Sequence, residues 1–463
     1  MFLTADILPC RYVLFNFPQE LFSACPGCRF IAGINVIFLI IFIIMSLCFA
    51  FLNRKICNKN ENMLIYIIVA FAVSCVFTAL LMPYVIKFCE FKKLYDRPDE
   101  RKIHHSAIPR LGGVLFMPAM LTGMIAAFVL FIFLKRTQFM LQASLFVLIA
   151  GVFLMYIIGV IDDLIGVRAN RKFVVQTVAA CFFPICGLCL NNLYGFLGIY
   201  EIPYVVSYPL TVFLVITIVN SINLIDGIDG LASGLCIMIF FVFIKLFSEG
   251  NPSVYALMAS ALMGSLIAFF YFNFFGKAKK GTKIFMGDTG SLILGYSIAY
   301  LALKYAMNNP AVFPYRHEAL LWPYTVLIVP TFDVARVTIG RIVRRVPVFG
   351  ADKTHIHHVI MQTGFSMHQA LGIILSLFVF YCLLNSFLFD ICGSYNLIVI
   401  VDVLSYAGFF ALLHAVKGEN CKASGMVGKP EGDIAGKTAG KQHVEATCAH
   451  DNQDSCRRIG GRR

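Results

Sequence analysis

Long apolar runs alternate with short polar loops along the chain as far as about residue 415. Twelve runs read as helical segments: 30–53, 63–88, 112–134, 139–161, 173–190, 204–222, 233–248, 254–275, 290–307, 319–340, 369–389 and 395–415. Most approach the roughly 20 residues that a helix needs to cross a hydrocarbon core, with 173–190 and 233–248 shorter. The pattern predicts an all-α fold, a polytopic integral membrane bundle of about 11–12 transmembrane helices. Three parts follow from it: an N-terminal extension over 1–62 with one extra helix, a transmembrane domain over 63–415, and a tail over 416–463. In the tail Gly, Lys and polar residues replace the apolar runs, which predicts a disordered extension. Met63 opens the second segment, so 1–62 reads as an accessory anchor or as the product of a start assigned too far upstream.

Composition agrees with that reading. Hydrophobic residues make up 59% of the 463 and charged residues 14%, with a mean hydropathy of +0.81, whereas a soluble domain carries about 25% charged residues. The net charge of +13 does not call for nucleic acid, because Lys and Arg gather in loops. Connections after the even-numbered segments, counted with Lys87 and Arg336 at their edges, hold 19 of them, and connections after the odd-numbered segments hold 6. The positive-inside tendency then puts the even loops, and both termini, in the cytoplasm. The 54–62 loop, with Arg54, Lys55 and Lys59, runs against it. The 16 cysteines add little; many sit inside apolar runs as small hydrophobes, and Cys25-Pro-Gly-Cys28 has no second pair to complete a metal or redox site.

Each motif-like polar stretch falls on the even side, which predicts one composite site on the cytoplasmic face. The first stretch, Asp96 to Gly113, holds Arg101, Lys102, His104, His105, Pro109 and Arg110 and closes on Gly112-Gly113, which suits a tight turn at a helix entry. Asp162-Asp163 ends an apolar helix ahead of Arg168, Arg171 and Lys172. Adjacent carboxylates at a membrane boundary call for a divalent cation or a basic partner, capping of the next turn being the plainer alternative. In Asn220-Ser-Ile-Asn223-Leu-Ile-Asp226-Gly-Ile-Asp229-Gly230 the polar side chains recur every third residue, which predicts one face of a short helical stretch. Phe285-Met-Gly-Asp288-Thr-Gly-Ser291 opens a helix, where free N–H groups receive anions and a carboxylate receives metal; a helix cap formed by Asp288 or Ser291 is the alternative. The last stretch, Asp352-Lys-Thr-His355-Ile-His357-His358, has zinc-like histidine density, but its carboxylate-rich neighbours suit Mg²⁺ better. Histidines there can also contact phosphate or move protons. Five carboxylates beside several cations have the composition of a Mg²⁺–diphosphate site. From the residues alone, the reading ends at a metal-dependent phosphoryl-transfer or diphosphate-binding membrane protein.

These loops, in this order, resemble the polyprenyl-phosphate N-acetylhexosamine-1-phosphate transferases over about 63–415. The resemblance is carried by Arg101-Lys-x-His104, Pro109, Gly112-Gly113, Asp162-Asp163, Asn220-x-x-Asn223-x-x-Asp226-Gly-x-Asp229, Phe285-Met-Gly-Asp288-x-Gly-Ser, Asp333 and His355-Ile-His357-His358. It implies Mg²⁺ (Mn²⁺ as a substitute), a UDP-N-acetylhexosamine donor and an undecaprenyl phosphate acceptor at an inner-membrane, cytoplasm-facing site, with a homodimer left open. It further implies a catalytic set of Asp162, Asp163, Asp226, Asp229, His355, His357 and His358. Asp288 and Asp163 would hold the metal, and Lys102, His104, Lys172, Asn220, Asn223 and Phe285 would bind substrate, Phe285 against the uracil. The isoleucine interrupting the histidine run is similar to the branch that starts O-antigen, common-antigen or teichoic-acid chains from UDP-GlcNAc. The lipid I branch, with three adjacent histidines, is the nearer alternative. A secondary transporter is the alternative from another class, but it would place ionisable groups near the midplane.

Overall fold

The computed structural model describes residues 61–96, 108–135, 143–248, 254–310, 313, 315–347 and 354–426. The expected 30–53 segment, the rest of 1–60, Lys102, His104, Asp352 and the tail beyond 426 lie outside the described residues. The chain divides into two compact units, Met1–Lys417 and Gly418–Arg463, and the site lies in the first.

Its long helices match the remaining eleven apolar segments one for one. They are α1 (Glu61–Lys92), α2 (Phe116–Lys135), α3 (Ala143–Ile165), α4 (Ala169–Ile185), α5 (Tyr204–Ile225), α6 (Leu231–Ser248), α7 (Val254–Phe270), α8 (Gly287–Ala306) and α9 (Leu321–Val343). The short α10 (Ile356–Gln362) leads into α11 (Met367–Cys392) and α12 (Tyr395–Met426). The last helix therefore runs past residue 416, where the loss of apolar residues predicts its end. A two-residue ribbon, β1 (Tyr95–Asp96) and β2 (Ile108–Pro109), pairs antiparallel ahead of α2, with Tyr95 opposite Pro109. Eight helices among the described residues are long and apolar enough to cross a membrane. The chain is a multi-pass membrane protein.

The bundle is organised around α8. Every residue from Thr289 to Ala306 is buried, with α3 and α5 packed along it. Close approach is made possible by small residues: a side chain at Gly151 would collide with Tyr296, and one at Gly295 with the backbone of Val219. A second pair, α6 and α7, is nearly as buried, and α1 and α2 pack against α7. The peripheral helices turn Leu64, Leu80, Phe91, Leu404 and Leu412 outward. On a soluble protein such an apolar exterior would be a liability, whereas in a bilayer it is the solvated surface. The consequence for function is that α8 carries its N-terminus, and the polar residues there, into the middle of the assembled loops.

Candidate active site

The site is built where the start of α8 meets the end of α3. Gly287 has φ +73°, which lets the chain turn into α8, and a side chain there would strike the carbonyl of Arg110 and the carboxylate of Asp163. Asp163 is buried and fills that junction. Its Oδ1 accepts from the Asp288 N–H at 2.9 Å, and its Oδ2 accepts from the Thr289 N–H at 3.0 Å and the Thr289 hydroxyl at 2.6 Å. The helix is thus capped from another helix, not by Asp288 or Ser291 as the local sequence suggests. Both oxygens of Asp163 accept hydrogen bonds from the start of α8.

Behind it, the Arg110 guanidinium donates to the Asp163 carbonyl, 2.9 Å from Nε and 2.7 Å from Nη2, and so satisfies carbonyls at the C-terminal end of α3. Backbone bonds lock the first loop to the fourth: Phe285 N–H to Pro109 O (2.7 Å), Gly112 N–H to Phe285 O (2.9 Å) and Gly113 N–H to Met286 O (2.8 Å). A Cβ on Gly113 would lie 2.2 Å from the Gly290 backbone. The Gly-Gly pair therefore answers a backbone-to-backbone contact, not the tight turn it suggests in sequence; neither glycine has positive φ. Phe285 itself is half-buried beside this ladder.

Asp288 points the other way, into the polar cluster. One oxygen accepts from Asn223 Nδ2 at 2.8 Å, and the other is ion-paired with Lys172, whose ammonium also sits 3.0 Å from Asp162. Asp162 accepts in addition from the Val167 N–H at 2.6 Å, so the capping alternative and the basic partner both hold for it. Asn223 reaches Ser291 as well, at 2.8 Å.

The every-third-residue stripe divides. Asn220 and Asn223 are on α5, but the helix ends at Ile225 with Asp226 as its cap. Asn220 turns to Gln176 of α4 (3.1 Å) and to its own helix, and makes no hydrogen bond to the carboxylates among the described residues. Asp229 is buried and ion-paired with Lys283. Asp226 accepts no hydrogen bond among the described residues. Burial, then the charges of Asp288, Asp229 and Asp163, push its carboxyl up to about 7.

The histidines close the site from the far side. His357 lies directly over Gly227, where a Cβ would come within 2.2 Å of its Nε2. Burial, then the neighbouring His358, lowers its pKa to about 3, so the ring is neutral. His355 and His357 are parallel, 6.1 Å apart, and His358 is 4.3 Å from His357. The fifth loop thus reaches the third, as the single-site expectation requires.

Several contributors were not singled out by sequence. Asn273, in the π-helical turn Tyr271–Phe275 after α7, accepts from the Gly230 N–H (2.7 Å) and donates to the Ile284 carbonyl (2.9 Å). It ties the third loop to the fourth, and a lone amide among four aromatics was the available signal. Gln176 and Thr289 sit in apolar or motif-like surroundings and gave none.

Mg²⁺ can be tested against these groups. Among the described residues no three His, Cys, Asp or Glu side chains form a metal cage. Mg²⁺ asks for one or two carboxylates, with phosphate oxygens and water completing six. Asp226, with no donor of its own and carboxylates around it, fits such an ion together with Asp288.

Residues 145–306, α3 to α8, match the glycosyl transferase family 4 pattern. The chain is similar to the probable undecaprenyl-phosphate N-acetylglucosaminyl 1-phosphate transferase of Bacillus subtilis (strain 168), 30% identical over 322 residues, 68% of this chain and 82% of the relative. It is 31% identical over 286 residues to the undecaprenyl-phosphate alpha-N-acetylglucosaminyl 1-phosphate transferase of Yersinia pestis, covering 61% and 73% of the two chains. The protein of that name from Escherichia coli (strain K12) is 28% identical over 303 residues, 64% and 77%.

Proposed function

This chain belongs to glycosyl transferase family 4, the polyprenyl-phosphate N-acetylhexosamine-1-phosphate transferases, and from that membership we propose that it transfers N-acetylglucosamine 1-phosphate from UDP-GlcNAc to undecaprenyl phosphate. An oxygen of the prenyl phosphate attacks the sugar-bearing phosphorus, a new P–O–P bond forms, and the bond to the UMP phosphate breaks with its electron pair leaving on UMP. The product is the lipid diphosphate sugar that begins a cell-envelope polysaccharide. The site faces the cytoplasm across the inner membrane, in keeping with the crowding of Lys and Arg into the loops on that side.

The observation that carries the reading is the group around Asp288, where Lys172 and Asn223 meet its carboxylate at a helix start and Asp226, which accepts no hydrogen bond among the described residues, stands near enough to feel its charge. Mg²⁺, when bound, would supply positive charge against the charge developing on the diphosphate. Asp288 and Asp226 would hold it. Lys172 and Lys283 stand ready as cations for phosphate oxygens; Lys172 is paired with Asp288 and Asp162, and Lys283 with Asp229. Asp163 and Arg110 do not reach substrate in this account; they hold α3 and α8 in register so that Asp288 is presented at a fixed place.

The test is to offer purified protein undecaprenyl phosphate with UDP-GlcNAc, UDP-GalNAc or UDP-MurNAc-pentapeptide, each radiolabelled in the sugar. Labelled lipid from UDP-GlcNAc is expected. Labelled lipid from the pentapeptide donor alone would move the chain to the lipid I branch.

A further inference from the structure

Asp333, on α9, is 2% exposed and has no task in the transfer scheme above. Its Oδ1 accepts from the Ile356 N–H at 2.9 Å and from Arg336 Nη2 at 2.7 Å. Its Oδ2 lies 2.8 Å from His355 Nδ1. Arg336 also donates to the Thr354 carbonyl and rests its guanidinium 4.1 Å from the Phe410 ring centre. One carboxylate and one guanidinium therefore hold the backbone on both sides of His355 and one nitrogen of its ring.

The chemistry of this contact fixes a proton. An ionised carboxylate can only accept, so the ring must donate from Nδ1. A neutral imidazole that donates from Nδ1 has its lone pair on Nε2. His355 Nε2 makes no hydrogen bond among the described residues. The neighbouring His357 is held differently: both its nitrogens are buried without a hydrogen bond, and no carboxylate sets its tautomer. Of these two parallel rings, one is oriented by a carboxylate and one is not.

We propose that Asp333 is a positioning residue that holds His355 in the Nδ1–H tautomer and presents Nε2 to the substrate as an acceptor. Nε2 then receives a hydrogen bond or a proton from a substrate O–H, such as that of a singly protonated prenyl phosphate. When a proton passes from that oxygen to Nε2, the resulting imidazolium is already paired with the Asp333 carboxylate. This consequence rests on the transfer reaction proposed above, but the tautomer itself does not.

Substitution with asparagine tests the idea sharply. In Asp333→Asn the amide oxygen must stay on the Ile356 N–H and Arg336, which turns the NH₂ group towards His355. It then donates into Nδ1 and drives the ring proton to Nε2. The experiment is ¹⁵N spectroscopy of histidine-labelled full-length protein in detergent, with the His355 signals assigned by their loss in His355→Gln. The wild type should show His355 protonated on Nδ1 and Asp333→Asn should show it on Nε2. Turnover of Asp333→Asn should fall roughly 10²–10⁴-fold, the range for an acid–base group, with the KM for the UDP-sugar little changed. The double variant Asp333→Asn/His355→Gln should be no slower than His355→Gln alone. Three results would each overturn the proposal: Nε2–H in the wild type, an unchanged tautomer in Asp333→Asn, or losses that multiply in the double variant. The wild-type spectrum is taken without substrate, so it decides the tautomer even if the variant fails to fold or the transfer reaction is another one.

Discussion

Thr289 places two hydrogen bonds on a single oxygen of Asp163, from its N–H at 3.0 Å and from its hydroxyl at 2.6 Å. The two residues are 126 positions apart, and the link makes Asp163 the cap of the central helix. Asp163→Ala leaves buried donors at the start of α8 without a partner and should cost about 1–3 kcal/mol of stability. Thermal unfolding in detergent measures that loss. Because Asp163 is not among the proposed metal ligands, the Mg²⁺ concentration giving half-maximal turnover should stay where it is. A shift of that midpoint would return Asp163 to the metal site.

Asp226 predicts a pH effect with a definite sign. Its carboxyl is raised from 3.8 to about 7 in the folded protein, so between those values the folded state holds more protons than the unfolded state. Stability from this group is fully present below about pH 4 and is lost as pH rises through 7. With EDTA present, wild-type unfolding temperature should drop between pH 5 and pH 8, and Asp226→Asn should drop less. At pH 8 added Mg²⁺ should stabilise the wild type and leave Asp226→Asn nearly unmoved. Equal pH slopes in the two proteins would remove the unneutralised carboxylate from the account.

Gly227 and His357 share a contact that leaves no room for a methyl group. Gly227→Ala places a Cβ within 2.2 Å of His357 Nε2, so the ring, and the start of α10 with it, must shift. Misplacing catalytic groups by about 1 Å can cost on the order of 10²-fold. Turnover should fall by about that factor while the protein remains folded, and full activity in Gly227→Ala would mean that the histidine loop is not held against the third loop during the reaction.

Away from the site, Asp402 is fully buried between α9, α11 and α12, where Asn385 Nδ2 donates to its Oδ2 at 3.1 Å and to Thr325 at 3.1 Å. Asn385 Oδ1 is a buried acceptor without a hydrogen bond, and the Tyr324 hydroxyl faces Asp402. Asp402→Asn keeps the shape and adds donors, and should unfold within a few degrees of wild type. Asp402→Leu removes the partner of Asn385 and should cost about 1–3 kcal/mol. A destabilisation confined to the Asn variant would show that this carboxylate needs its charge.

How far these features are legible in sequence depends on their range. Apolar periodicity reports length and burial locally, and it locates the eleven long helices among the described residues but not the short α10. The same reading also put the five loops on one side, because Lys and Arg mark a loop without reference to any partner. Contacts such as Lys172 with Asp288, or Asn223 with Asp288, join residues 116 and 65 positions apart, and no local pattern encodes them. Residue type was an ambiguous guide for the same reason. Asp162 and Asp163 are adjacent and alike, yet one faces Lys172 and the other caps α8. Asn220 and Asn223 share a spacing, yet the end of α5 and the position of Gln176 give them different partners.

In the proposed reaction phosphate travels with the sugar. The direct measurement uses UDP-GlcNAc carrying ³²P in the sugar-bearing phosphate and ¹⁴C in the sugar, incubated with undecaprenyl phosphate, Mg²⁺ and purified protein. Both labels should enter the lipid in equal amounts, with UMP as the released nucleotide and with Asp288→Asn slower by about 10²–10³-fold, as for loss of a preorganised electrostatic group. Carbon label in the lipid without phosphorus label, accompanied by UDP, would contradict the account.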